Sequence, residues 1–252
     1  MPIARPDSRA YRVVARIVRP LLFAMVRYDW DRGEENLPRE GGFIAAANHA
    51  TEFDALTLAH YLFDKGFEPR ILAKRALFDV PVVGAAVRAT RMIPVDRGTS
   101  AAARSLENAG KQLGDGACVA ILPEGTLTRD PDLWPMVGKT GLARMALTSR
   151  LPVVPVAQWG AHKILARYGR LLRPFPRKKV TLVAGPPVDL SDLYDRPLDA
   201  AVLREATERV MDAITVQLAE IRGETPPTER FDLRRHPEYE RKQTTYPPVE
   251  RP

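Results

Sequence analysis

Phe43-Ile44-Ala45-Ala46-Ala47-Asn48-His49-Ala50-Thr51-Glu52-Phe53-Asp54 sets the reading of the fold. Apolar residues run without polar alternation straight into a turn that carries Asn, His, Thr, Glu and Asp. Unbroken apolar character marks a strand covered on both faces. Functional groups of α/β proteins gather just beyond the C-terminal ends of such strands. Working outward, five more runs read as strands: Arg70–Ala73, Arg91–Val95, Ala117–Leu122, Val153–Ala157 and Val180–Ala184. Helical stretches fall between them, near 54–65, 75–89, 99–114 and 138–149. A last helix is predicted from about Asp199 to Ile221, with Val202, Leu203, Ala206, Val210, Ile214, Leu218 and Ile221 at helical spacing, and Gly223 stops it. Alternating strand and helix argue for an α/β sheet in a single domain.

Composition supports this. A chain of 252 residues with 45% hydrophobic and 27% charged content can bury a sizeable core, which excludes wholesale disorder. There is neither a glycine period nor a sustained heptad. The single cysteine, Cys118, excludes an internal disulfide framework and a cysteine-based zinc site. It lies inside an apolar strand and reads as a core thiol. His60, His162 and His236 show no metal-ligand spacing, which argues against a metal-dependent hydrolase built on His49 and Asp54.

The formal charge is +7 and the pI about 9.7, so the location of the cations matters. Arg5, Arg9, Arg12, Arg16, Arg19 and Arg27 face Asp7 alone within the first 28 residues. Arg12, Arg16, Arg19 and Arg27 share one side of a helix, with Val13, Val14, Ile17, Val18, Leu21, Leu22, Met25 and Val26 around the rest. Pro20 is expected to split this segment into two pieces. Leu21 to Val26, the longest uninterrupted apolar stretch, falls far short of the roughly 20 residues that span a bilayer. Arg19 and Pro20 interrupt any apolar centre, which argues against a signal peptide. Two readings remain: a basic amphipathic segment lying in a membrane interface, or a helix packed on its own domain. A second run, Lys163 to Lys179, holds seven cations and no acid, and its Ile164, Leu165, Leu171 and Leu172 suit contact with lipid. Either run can equally be a solvated face. Zinc-finger spacing, RNA-recognition signatures and basic heptads are missing, so nucleic acid is not expected as a partner. The expected organisation is an amphipathic segment over 1–30, a main domain over 31–222 and a proline-rich, disordered tail over 223–252.

Four motifs carry candidate chemistry. His49 and Asp54 stand five residues apart; with 4 His in the chain, chance alone gives roughly 0.25 such pairs. A carboxylate accepting from one ring nitrogen leaves the other free as a general base. The bland alternative is a helix-capping Asp beside an incidental His. Val95-Asp96-Arg97 ends the third predicted strand, where Arg97 either clamps a phosphate or pairs with its neighbour Asp96. Pro123-Glu124-Gly125-Thr126 ends the fourth: Gly125 permits close approach of backbone to ligand, Thr126 offers a hydroxyl, and Glu124 either orients Arg97 or binds an acceptor hydroxyl. An ordinary strand-to-loop turn explains it equally. Pro152-Val153-Val154-Pro155 places prolines around a buried strand and reads as architecture near a site.

In this order, across about 110 residues, the four motifs resemble the glycerolipid acyltransferases, bacterial 1-acylglycerol-3-phosphate acyltransferases above all. The resemblance covers roughly 20–190. It implies a mixed sheet flanked by helices, with the N-terminal amphipathic segment at a membrane interface. It implies His49 and Asp54 as the catalytic pair and Arg97, Glu124, Gly125 and Thr126 as acceptor-phosphate binders. Lys74, within Lys74-Arg75-Ala76-Leu77-Phe78-Asp79-Val80-Pro81-Val82-Val83-Gly84, and Lys139 with Gly141 match further basic-glycine elements. Many members carry Arg directly after Glu-Gly-Thr; here Leu127 stands there, with Arg129 two residues on.

The implied reaction moves a fatty acyl group from a thioester, acyl-CoA or acyl carrier protein, to the free hydroxyl of 1-acylglycerol 3-phosphate, giving phosphatidic acid. No bound cofactor and no metal are implied. The expected partners are the acyl thioester, a lysophospholipid acceptor and an anionic membrane surface, with the protein peripheral on the cytoplasmic face of the cell membrane. The same chemistry on glycerol 3-phosphate or another lysophospholipid, and a non-catalytic membrane-binding module of the same fold, are the competing readings.

Overall fold

The computed structural model describes residues 8–96 and 101–248. In chain order the main elements are α1 (Arg9–Met25), β1 (Val26–Asp29), β2 (Phe43–Ala47), α2 (Asp54–Asp64), β3 (Arg70–Lys74), α3 (Val83–Ala89), β4 (Ile93–Val95), α4 (Ala101–Gly114), β5 (Cys118–Ile121), α5 (Gly141–Ser149), β6 (Val153–Trp159), β7 (Lys178–Ala184) and α6 (Ala200–Arg222). The strands form one seven-stranded sheet in the order β1-β7-β6-β2-β5-β3-β4. Every neighbouring pair is parallel except β6 with β7, so the sheet is mixed.

β2 lies in the middle of this sheet and is buried at every position. Phe43, Ala45 and Ala47 join one core layer with Leu58, Tyr61 and Leu62 of α2. Ile44 and Ala46 join the other, with Leu142 and Leu147 of α5 and Val202, Val210 and Ile214 of α6. Helices on both faces are what an apolar strand without alternation requires. The turn after β2 therefore leaves from the centre of the sheet's C-terminal edge. In α6, Asp199 caps the N-terminus by accepting from the N–H of Ala201 and Val202, and Gly223, at φ +65°, ends it.

Pro155 sits inside β6, paired in register with Ala46. Its carbonyl accepts from Gly185 N–H, and the ladder to β7 begins only at Val156, so the missing donor falls where no acceptor waits.

Four expectations need correction. α1 is one helix with Pro20 inside it rather than two pieces. Pro20 is exposed, so the Arg16 carbonyl that loses its partner lies on a flank open to water. The N-terminal segment also ends earlier than expected: Val26–Asp29 is a seventh strand, parallel to β7. The predicted helix 75–89 is a short 3-10 turn over Arg75–Asp79 followed by α3, interrupted at Pro81 and at Val82, whose φ is +66°. Finally, residues 224–248 do not trail away. Phe231, Tyr239 and Tyr246 pack on Met136, and Val137 N–H donates to the Phe231 carbonyl. Aromatic side chains each bury a large area, so three of them anchor a segment poor in aliphatic residues.

α1 packs on its own domain along one face and leaves apolar residues exposed along another. Tyr11 stacks on Phe63 at 5.2 Å, Leu22 enters the core, and Arg19 pairs with Asp64 at 2.5 Å. Val13, Ile17 and Leu21, one helical turn apart, stay exposed on the outer face beside Arg12 and Arg16. No helix among the described residues is long and apolar enough to cross a membrane.

If Phe231 anchors the C-terminal segment, Phe231→Ala should lower unfolding free energy by about 3–5 kcal/mol in urea titrations. A loss under about 0.5 kcal/mol, typical of surface positions, is the result expected of a detached tail.

Candidate active site

The turn after β2 is organised by one carboxylate oxygen. Asp54, the first residue of α2, turns its side chain back over the turn, where Oδ2 accepts from the N–H of Ala50 at 2.5 Å and of Thr51 at 2.7 Å. The same oxygen stands 3.4 Å from His49 Nδ1. Both residues are buried. A helix N-terminus favours the negative charge held there. In the tautomer with a proton on Nδ1, His49 donates to Asp54 and leaves Nε2 as an unprotonated base. Asp54 does not cap α2, whose N-cap is Phe53; it closes the turn that precedes the helix, and the same oxygen faces the His49 ring.

The backbone of His49 is fixed on both sides. Its N–H donates to Glu124 Oε1 at 2.7 Å, and its carbonyl accepts from Thr128 N–H at 2.8 Å. Glu124 Oε2 accepts from Met136 N–H at 3.0 Å. With each oxygen accepting from a backbone N–H, Glu124 braces the His49 turn. Burial pushes its carboxyl up to about 8, against the lowering effect of the two donors, and the charges of Asp54 and Asp130 add to the rise.

Gly125 has φ +70°, and a Cβ there would come within 3.2 Å of Lys139 Cγ. The glycine therefore lets the exposed Lys139 lie along the turn, and Lys139 N–H ties back to the Pro123 carbonyl at 2.8 Å. The Thr126 hydroxyl lies 3.1 Å from Tyr168 OH and 3.5 Å from Arg129 Nη1. Arg129 is buried, stacks 4.6 Å from the Tyr168 ring centroid, and donates to the carbonyls of Leu127 and Tyr239. Leu127 is in the core. Gly141 opens α5 where a Cβ would meet Leu106 Cδ1 at 2.8 Å, which is a packing reason for that glycine.

His49, Asp54 and Glu124 are joined by direct contacts, Gly125 and Thr126 follow Glu124 in the chain, and Lys139 is tied to the same turn through Pro123. Lys74 ends β3 at the same edge of the sheet, exposed, with β5 between it and β2, about 10 Å away by strand spacing. Arg97 lies outside the described residues. Its neighbour Asp96 pairs with Arg75 at 2.6 Å.

Several residues escape sequence reasoning. Asn48 and Gln158 lock β2 to β6: Asn48 Nδ2 donates to the Gln158 carbonyl, Asn48 Oδ1 accepts from Gln158 N–H, and Gln158 Nε2 donates to the Asn48 carbonyl. A lone glutamine in an apolar strand was the available signal. Tyr168, at φ +52°, is a non-glycine residue in the left-handed region, held by Arg129 and Thr126. Arg167 is buried, donates to the carbonyls of Thr128 and Asp130, and stacks 4.4 Å from the Tyr246 ring. His60 and His162 are pushed down to about 4, chiefly by burial, and stay neutral. A cleft of about 730 Å³ lined by Trp134, Trp159, His162 and Arg222 is a separate feature that none of the candidate residues lines.

A protein-family model described as Acyltransferase matches residues 31–159. Over 164 residues, 65% of this chain and 75% of the relative, the sequence is 29% identical to the 1-acyl-sn-glycerol-3-phosphate acyltransferase of Bacillus subtilis. An uncharacterized protein of Mycobacterium tuberculosis is 33% identical over 162 residues, 59% of this chain and 42% of that protein, so the chain spans under half of that relative's length. The crystal structure of the 1-acyl-sn-glycerophosphate acyltransferase PlsC from Thermotoga maritima has the same fold, with a TM-score of 0.62 at 22% identity over 86% of this chain and 81% of that one.

The raised Glu124 carboxyl gives a pH signature. With about 8 in the folded chain against an ordinary 4.5, folding takes up a proton between those values, so this group's contribution to stability falls as pH rises through that window. Glu124→Gln keeps an acceptor for only one of the two N–H groups and is expected to be less stable at pH about 5, with a flatter profile between about 5 and 8. Parallel profiles for the two proteins in thermal unfolding would contradict the assignment.

Proposed function

The chain belongs to the acyltransferase family, and on that premise we propose that it transfers a fatty acyl group from acyl-CoA or acyl carrier protein to the free hydroxyl of 1-acylglycerol 3-phosphate, giving phosphatidic acid. The observation that carries this reading is the His49 imidazole held against the Asp54 carboxylate at the centre of the sheet's C-terminal edge, with the His49 backbone fixed on both sides. The named relative from Bacillus subtilis supports the choice of acceptor.

His49 Nε2 takes the proton of the acceptor hydroxyl as its oxygen attacks the thioester carbonyl. Asp54 holds the ring and stabilises the imidazolium. The tetrahedral intermediate collapses with cleavage of the C–S bond, and the leaving thiolate takes the proton back from the imidazolium. No covalent enzyme intermediate is required. The N–H groups of Ala50 and Thr51 are committed to Asp54, so stabilisation of the oxyanion falls to other donors.

Arg97, Lys74 and Lys139 receive the acceptor phosphate, together with the Thr126 hydroxyl that Tyr168 and Arg129 orient. Their contribution is orientation of the acceptor. The exposed Val13-Ile17-Leu21 face of α1, flanked by Arg12 and Arg16, suits the interface of an anionic membrane and supports reading the protein as peripheral; the cytoplasmic face is part of the proposal.

The test is acyl transfer with labelled acyl-CoA and acyl carrier protein across lysophosphatidic acid, glycerol 3-phosphate and other lysophospholipids. His49→Ala should lower kcat by about 10²–10⁴ while the fold is kept; turnover within threefold of the parent would sink the mechanism. Arg97→Ala should raise the acceptor KM about tenfold or more and leave the donor KM alone. An effect confined to the donor would remove Arg97 from the acceptor site.

A further inference from the structure

The segment between β6 and β7 begins at the candidate site and ends in water. Thr51, two residues after His49, donates through its hydroxyl to the Leu165 carbonyl at 2.6 Å, and Tyr168 OH meets Thr126. The chain then doubles back: Leu165 and Leu172 form an antiparallel bridge, and Arg173 N–H donates to the Ile164 carbonyl at 2.7 Å. Beyond that neck, Leu171 is 71% exposed, Leu172 48% and Phe175 72%. Three large apolar side chains this exposed within five residues are left uncovered by the described residues.

Charge narrows what covers them. From Lys163 to Lys179 there is no acid. Arg177 is tied to the Val26 carbonyl at 2.8 Å and Lys179 to Asp29 at 2.7 Å. Lys163, Arg170 and Arg173 are exposed and form no ion pair among the described residues. Apolar side chains with cations between them match a headgroup layer: the apolar groups enter the acyl boundary while arginines stay with phosphates. The Arg177 bond also sets the loop beside the residue at which α1 ends, the helix whose outer face has the same apolar and basic character.

We propose that residues 170–175 form an interfacial insertion loop, in which Leu171, Leu172 and Phe175 enter an anionic bilayer and Arg170 and Arg173 hold its phosphates, seating the membrane surface at the rim of the His49 site. The purpose of this seating rests on the reading of the acceptor as a membrane lipid. The neck bonds to Thr51 and Thr126 then make the loop a fixed spacer between bilayer and site. An acceptor lipid reaches the site along the loop without leaving the membrane surface.

The test uses the full chain. Cys118 is buried, so Leu171→Cys supplies one accessible thiol for an environment-sensitive fluorophore. With vesicles of phosphatidylglycerol and phosphatidylcholine, the label is expected to shift to the blue and to be quenched by lipids spin-labelled high on the acyl chain. Pure phosphatidylcholine should give a much weaker response. Leu171→Ala with Phe175→Ala should weaken cosedimentation about tenfold and raise the KM for vesicle-borne lysophosphatidic acid by a similar factor. Turnover of a short-chain acceptor below its micelle concentration should stay within twofold. A label that keeps its aqueous emission, with parent-like binding and vesicle turnover in the double variant, overturns the proposal. Equal loss on the soluble acceptor overturns it too, because the loop is then part of the site itself. A label shift produced by acyl carrier protein without vesicles assigns the loop to that acidic protein instead. If the parent inserts as described yet turns over no acceptor, the functional reading fails and the loop assignment stands.

Discussion

One oxygen of Asp54 is the point on which the candidate site depends. Where β2 stops, the chain turns into α2, and the N–H groups of Ala50 and Thr51 point inward with no strand left to pair with. Asp54 Oδ2 accepts from both, so the turn is closed by a side chain rather than by water. Burying those donors unpaired costs about 1–3 kcal/mol each. The same oxygen faces His49 Nδ1, so backbone closure and imidazole placement are set together. This explains the spacing of five: Asp54 has to be the first helical residue to reach back over the turn, and His49 has to be the second residue beyond the strand. Neither can shift by one position without losing a partner.

The neighbouring strands carry this turn. β5 delivers Glu124, whose two oxygens bridge the N–H groups of His49 and Met136 and so connect the two turns at the sheet edge. β6 delivers Gln158, which exchanges three hydrogen bonds with Asn48, while Thr57 of α2 donates to its Oε1 at 3.1 Å. Fully satisfied buried polar networks rigidify, because each member has no alternative partner. The result is a histidine whose ring has one carboxylate neighbour and whose backbone has no slack. For chemistry that needs reacting groups held within an ångström, that rigidity is the contribution of the fold.

The central strands β2 and β5 were legible because burial on two faces leaves an unbroken apolar run, and β3, β4, β6 and β7 carry shorter apolar stretches that sufficed. The last helix was legible from its 3.6 period. β1 was not, since four residues following an amphipathic helix fit a continued helix as well as a strand. The single α1 helix was hidden by Pro20, whose cost depends on exposure that sequence does not record. The C-terminal segment was misread for a different reason: it lacks the aliphatic residues that signal a core, and aromatic anchoring through Phe231, Tyr239 and Tyr246 has no period. Within the candidate site, motif order singled out His49, Asp54, Gly125 and Thr126, and the fold brings His49 against Asp54. The bracing role of Glu124 was not, because its partners are backbone atoms 75 and 12 positions away.

The C-terminal segment also settles how a buried cation survives beside Thr126. Arg129 has no carboxylate partner among the described residues; burial alone holds its guanidinium below the usual range. An isolated buried charge is expensive unless its donors are satisfied. Here two carbonyls and an aromatic face do that work, and one of the carbonyls belongs to Tyr239. Arg167 is treated alike, with the carbonyls of Thr128 and Asp130 below it and the Tyr246 ring above. Carbonyls and π faces satisfy hydrogen-bond donors without cancelling a full charge. The segment that reads as a tail therefore supplies the Tyr239 carbonyl to Arg129 and the Tyr246 ring to Arg167, so its packing bears on the candidate site as well as on the fold.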